Sequence, residues 1–169
     1  MSFLPGPTEY DPYYNLYLKH MHDQPLEEAF MAQKGESRKF WESLSAEEIR
    51  PYASGKWTLV QIVQHLIDTE RIFNFRALYF ARGGQADLPG FDHNAFAREA
   101  GRQLRAWSGL LADYQKVRAS TEALYISFSE RELLQQGQAD GNPFGVRALG
   151  YITLGHERHH QKVLREKYL

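Results

Sequence analysis

The 169-residue sequence predicts an all-α fold, a left-handed four-helix bundle with no sheet. Three observations predict it. Apolar residues recur at three- and four-residue steps over long stretches, glycine and proline punctuate the chain between them, and no strand-like alternation stands out. Helices with no sheet to cover must bury their apolar stripes against one another. No repeat, low-complexity tract or internal boundary interrupts the pattern, so residues 1–169 read as a single domain.

Residues 1–22 are rich in tyrosine and punctuated by proline, and read as an ordered arm or a short helix. Tyr10, Tyr13, Tyr14 and Tyr17 offer enough aromatic surface to predict a homodimer, with packing of the arm onto its own bundle as the alternative. "QPLEEAFMAQKGESRKFWESL" reads as the first long helix, with Pro25 tolerated in its first turn and Gly35 weakening it without ending it. Ser45 to Glu48 is an S-x-x-E that starts one short turn before Pro51.

The second long helix is the clearest. Thr58 and Gln61 form a capping box, with Trp57 and Ile62 placed as its hydrophobic staple. Ile62, Leu66, Phe73, Ala77 and Phe80 follow on one face, and Arg82-Gly83-Gly84 stops the helix after about 25 residues, roughly 37 Å. "GGQADLPGFDHNAF" is a long connection. A third helix is expected from about Phe96 to Phe128, carrying Leu104, Trp107, Leu111, Tyr114, Val117, Thr121 and Leu124. Ser129 to Glu132 cap a short helix, "GQADGNPFG" breaks the chain, and Asn142 with Pro143 open the last helix, which runs to the C-terminus.

Composition removes several function classes. Twenty basic residues against 21 acidic ones leave no basic excess for nucleic acid. No apolar run approaches the ~20 residues of a membrane span, and the start lacks the pattern of a signal peptide, so a cytoplasmic location is expected. The absence of cysteine excludes disulfides, thiolate ligands and a thiol nucleophile from the protein itself.

The last helix contains the string His156-Glu157-Arg158-His159-His160, an H-E-x-x-H. Its inward stripe reads Val146, Leu149, Thr153, His156, His160, so the two histidines continue a core seam about 40° apart around the axis. They can both point at one ion, or be two partly buried histidines bonded to neighbours. His65, between Ile62, Leu66 and Thr69, can complete a three-histidine site with an open position. Such a set suits zinc, nickel, copper or iron, and because imidazole must be neutral to ligate, occupancy should fall below about pH 6. Asp68 could orient His65, but a surface pair with Arg71 is the plainer reading. His20 and His22 are expected in solvent. His159 is a poor ligand, about 60° off the His156 direction, and His93 belongs to the long connection.

A zincin needs a third ligand after the motif, and only nine residues follow His160. Val163 and Glu166 stand where a metzincin would have its glycine and third histidine. Glu157 retains the chemistry of a base on bound water, although an outward salt bridge is the simpler expectation. A di-iron carboxylate bundle would need a second Glu-x-x-His pair, which the other long helices lack.

"GKWTLVQIVQHLIDTERIFNFRALYFARG", "LPGFDHNAF", "VRALGYITLGHERHH" and the terminal "LREKYL" together resemble the DinB-like, YfiT-like superfamily. That resemblance implies a four-helix bundle with a long crossover between helices 2 and 3, for which residues 83–95 have the right length. It implies a metal triad at His65, His156 and His160, holding one divalent ion, zinc or nickel. Family members include S-transferases that use bacillithiol or mycothiol and a mycothiol-dependent isomerase, and others have no known activity. The implied function is metal-dependent transfer of a small thiol to an electrophilic small-molecule substrate, with hydrolysis or a non-catalytic, stress-related metal-binding role as alternatives. Asp92 and His93 could meet the substrate from the crossover, and no catalytic base is assigned.

Overall fold

A computed structural model describes residues 2–46, 49–102 and 105–169. The expected cap at Glu48 and the place of Leu104 in a helical stripe lie outside the described residues. After a 3₁₀ turn at Pro12–Tyr14, the elements are α1 (Asn15–Leu18), α2 (Leu26–Glu42), α3 (Leu59–Ala81), α4 (His93–Ala100), α5 (Trp107–Ile126), α6 (Glu130–Leu133), β1 (Gln136–Ala139), β2 (Asn142–Gly145) and α7 (Val146–Lys167).

The ends of α3 follow from local chemistry. Thr58 Oγ1 accepts the Gln61 N–H at 3.2 Å while Gln61 Oε1 accepts the Thr58 N–H at 2.8 Å. At the other end Gly83 adopts φ +83°, and the Gly84 and Gly83 N–H groups turn back to the carbonyls of Tyr79 and Phe80. Pro25 stands immediately before α2, and Gly35 does not interrupt it.

Three expectations are corrected. The stretch 96–128 is two helices, because Asp92 Oδ1 accepts from the N–H groups of Asn94 and Ala95 and starts α4 early. Gly101 then ends α4, and α5 begins only at Trp107. The fold also contains a two-stranded antiparallel hairpin, β1–β2. Asp140 and Gly141 form its turn with φ of 56° and 71°, the conformation that an Asp-Gly pair favours. Asn142 and Pro143 are consequently strand residues, and α7 starts at Val146 with Gly145 as its N-cap.

Four long helices make the bundle. α3 packs against α5 and α7, and α2 packs against the same two. Glu70 meets Arg118 and Asn74 meets Thr121, so α3 and α5 advance in the same direction. Phe30 meets Tyr125 while Trp41 meets Tyr114, so α2 runs against α5. The core has two apolar clusters, one around Phe80, Leu149 and Ile152, the other around Trp41, Ile67 and Leu164.

Between the clusters every long helix contributes buried polar groups: Gln33 and Ser37, Thr69 and Glu70, Arg118 and Thr121, then His156, Glu157 and Gln161. The N-terminal arm folds back over this level. Tyr14 packs edge-on to Phe73 and Phe144, and Tyr17 lies against His156. This packing uses much of the aromatic surface that motivates a homodimer, leaving Tyr13 59% exposed. Among the described residues, no helix is long and apolar enough to cross a membrane.

Candidate metal centre

His65 projects from the second turn of α3, and His156 and His160 from successive turns of α7. Their ring nitrogens converge. His156 Nε2 lies 3.0 Å from His65 Nε2 and 3.0 Å from His160 Nε2. These three are the histidine, cysteine or acidic residues that the described chain brings together as a potential metal set.

Burial holds all three below the ordinary imidazole range. His65 falls to about 4, through burial first and the His93 charge second. His156 and His160 are also held well below it, again mainly through burial and then through neighbouring histidines. The three rings are therefore neutral at pH 7. A neutral ring carries one N–H and one lone pair, so His156 Nε2 cannot form good N–H···N bonds to both partners. A cation shared by three lone pairs satisfies all of them. Ligand bonds of ~2.1 Å at angles of about 90–110° place neighbouring nitrogens roughly 3.0–3.4 Å apart, close to the 3.0 Å separations of His156 Nε2 from its two partners, so the residues fit a metal ion.

The surroundings fix the rings. Thr69 Oγ1 lies 3.4 Å from His65 Nδ1, where it can accept that N–H and leave Nε2 as the donor atom toward the ion. Trp57 packs on His65 with centroids 4.8 Å apart and stacks nearly parallel to His160. Its placement goes beyond the expected staple role. A cavity of about 310 Å³ opens from the three histidines, walled by Tyr14, Tyr17, Phe73 and Phe144.

The other expectations divide. Asp68 accepts from Gln64 Nε2 and lies 3.9 Å from Arg71, consistent with the surface reading. His22 is exposed, but His20 is half-buried against His159. His93 borders the cavity near Trp57 and His65, whereas Asp92 is spent as the α4 cap.

Glu157 is the clearest correction, being fully buried. Its Oε1 accepts from Trp41 Nε1 at 2.7 Å, Gln161 Nε2 at 3.0 Å and the Tyr114 hydroxyl, and its Oε2 from Gln33 Nε2 at 2.6 Å and Arg118 at 2.9 Å. Burial pushes this carboxyl up, but Arg118 and the donors outweigh it and hold it low. With its lone pairs committed, Glu157 has none left for a reacting proton. Arg118 is also bidentate to Glu70, at 2.9 Å twice. The sequence reading missed this network, because isolated acids and an arginine on amphipathic helices normally mark the solvent face.

Comparison with known proteins follows the same lines. Residues 29–164 match the DinB superfamily model. YfiT from Bacillus subtilis, "a probable metal-dependent hydrolase with an unusual four-helix bundle topology", is similar in structure with a TM-score of 0.68. It is 17% identical, and the match covers 98% of this chain and 91% of YfiT. No curated protein matches the sequence.

Proposed function

The chain belongs to the DinB superfamily, and from that premise we propose that it is a metal-dependent S-transferase. His65, His156 and His160 would hold one divalent ion, zinc or nickel, and the reaction joins a small thiol of the bacillithiol or mycothiol type to an electrophile. The observation that carries the reading is the convergence of three neutral imidazole nitrogens at the floor of an aromatic-walled cavity. An ion bound there supplies Lewis acidity, which brings the pKa of a thiol or of water toward neutrality.

The chain's own residues do the rest. Thr69 sets the His65 tautomer, Trp57 and Tyr17 pack against the ligand rings and keep bulk water from them, and His93 stands at the rim. Glu157 acts only by fixing α7 in the bundle. The protein has no cysteine, so the sulfur must arrive with a cosubstrate. Such thiols are kept reduced in the cytoplasm, the location that belongs to this reading.

Hydrolysis is the second reading, favoured by the description of YfiT. The test is conjugate formation between bacillithiol, mycothiol or a simple analogue and a chlorinated electrophile, using metal-loaded protein and His160→Ala. Transfer should be fast in the first and near background in the second. Equal rates would reject the reading, and metal-dependent ester cleavage without conjugation would favour hydrolysis.

A further inference from the structure

The face of α3 that carries His65 continues through Thr69, Phe73 and Arg76, and all four line the same cavity. Arg76 is an unusual wall residue, 4% exposed. A guanidinium has five N–H donors. One, on NH2, donates to the Pro89 carbonyl at 2.9 Å, and the group lies over the Phe144 ring at 5.3 Å. Among the described residues it makes no other hydrogen bond and no ion pair.

Arg118, the other fully buried arginine, is held by Glu70 and Glu157. Of the half-buried arginines, Arg147 pairs with Glu9 and Arg105 with Asp113, while Arg158 donates to the neutral oxygens of Gln33 and His20. Burial lowers the Arg76 pKa, and Tyr14, Asp140 and Asp87 act on it only through space. A desolvated guanidinium stays charged and is costly without a counter-ion. The Pro89 bond explains one donor; the remaining N–H groups have no hydrogen-bond partner among the described residues, and Arg76 lines the cavity with Asp140 acting on it only through space.

We infer that Arg76 is a specificity-determining residue that binds the carboxylate of the substrate. The planar fork of donors matches a carboxylate in two parallel hydrogen bonds. His65 and Arg76 are three turns apart, about 16 Å of helix rise. Both side chains lean toward the helix N-terminus, and the longer arginine reaches back farther than the histidine, so the gap shortens by a few ångströms, to roughly 13 Å. Phe73, Tyr14 and Phe144 line the space between. The substrate class is therefore a small carboxylic acid with an apolar or aromatic middle, its reacting atom at the histidines and its carboxylate at Arg76. This inference rests on the reading of the cavity as the substrate site.

The experiment compares 3-phenylpropionate with its neutral amide by titration, following tryptophan fluorescence and calorimetric heat, in metal-loaded and in chelator-treated protein. The carboxylate should bind about tenfold tighter or more than the amide in both preparations. Arg76→Gln should erase that preference with metal content unchanged, and Arg76→Lys should keep part of it. Equal binding of acid and amide by the wild type would overturn the inference. So would a preference that survives Arg76→Gln, or one that disappears on chelation, since the carboxylate would then sit on the metal. Should Arg76→Gln fold poorly, the wild-type comparison after chelation decides alone. Loss of the metal reading would appear in metal content, which the chelated titration does not use.

Discussion

His156 and Glu157 are neighbours on one helix with opposite tasks. His156 aims a neutral nitrogen at a shared point with His65 and His160, while Glu157 gathers five donors from α2, α5 and α7. Glu157→Ala would leave Arg118, Trp41 and Tyr114 with buried, unmatched groups, and should cost about 3–5 kcal/mol in urea unfolding. An outward-facing glutamate would cost almost nothing. The histidines also predict a pH response. A proton competes with the ion for each Nε2, and burial brings His65 down to about 4 and holds His156 and His160 well below the ordinary imidazole value. Protonation of the folded site therefore starts below the ordinary imidazole range. Metal should remain bound through pH 6 and leave only as pH falls toward about 4, provided that the bundle stays folded; release centred near 6.5 would contradict the buried placement. The His156–His160 pair was legible in the sequence because i,i+4 spacing on a core stripe has few meanings, and His65, expected to face inward from its own helix, lies beside them. Glu157 and Arg118 were not, because pairing between distant helices leaves no local pattern.

At the scale of elements, capping chemistry was legible and long-range pairing was not. The Thr58–Gln61 box and the Arg82-Gly83-Gly84 stop appear in the structure as read. Thr58→Ala should cost about 1 kcal/mol of stability by denaturant unfolding. The break between α4 and α5 escaped because apolar residues on both sides keep a helical step, and the cap at Asp92 competes only locally. The hairpin escaped although Asp140-Gly141 is its local signature, since each strand is only four residues long. The arm carries its own test. Glu9 accepts from Arg147 Nε at 2.7 Å and from its NH2 at 2.5 Å, tying the arm to α7. Burial would raise the Glu9 carboxyl, but Arg147 and the Gly6 N–H hold it below the usual glutamate value. A depressed folded-state pKa gives stability that is complete above the unfolded value and lost as pH falls through the folded one. Acidification below about pH 4 should therefore loosen residues 2–20, seen as faster amide exchange there. Glu9→Gln should show the faster exchange already at pH 7.

Across the whole molecule, the site belongs to a polar layer set between two apolar clusters, to which all four long helices contribute. The layer locks the register of the helices, and the triad is its edge facing the cavity. A divalent ion would then join α3 to α7 at the level where the hydrophobic core is interrupted. Chemistry in the cavity requires that ion to be held by these three side chains. The most direct measurement is metal content of the purified wild type beside His65→Ala, His156→Ala, His160→Ala and His22→Ala. Near-stoichiometric zinc or nickel is expected in the wild type and in His22→Ala, with a sharp loss in each triad variant; full occupancy in the triad variants, or an equal loss in His22→Ala, would rule out this ligand set.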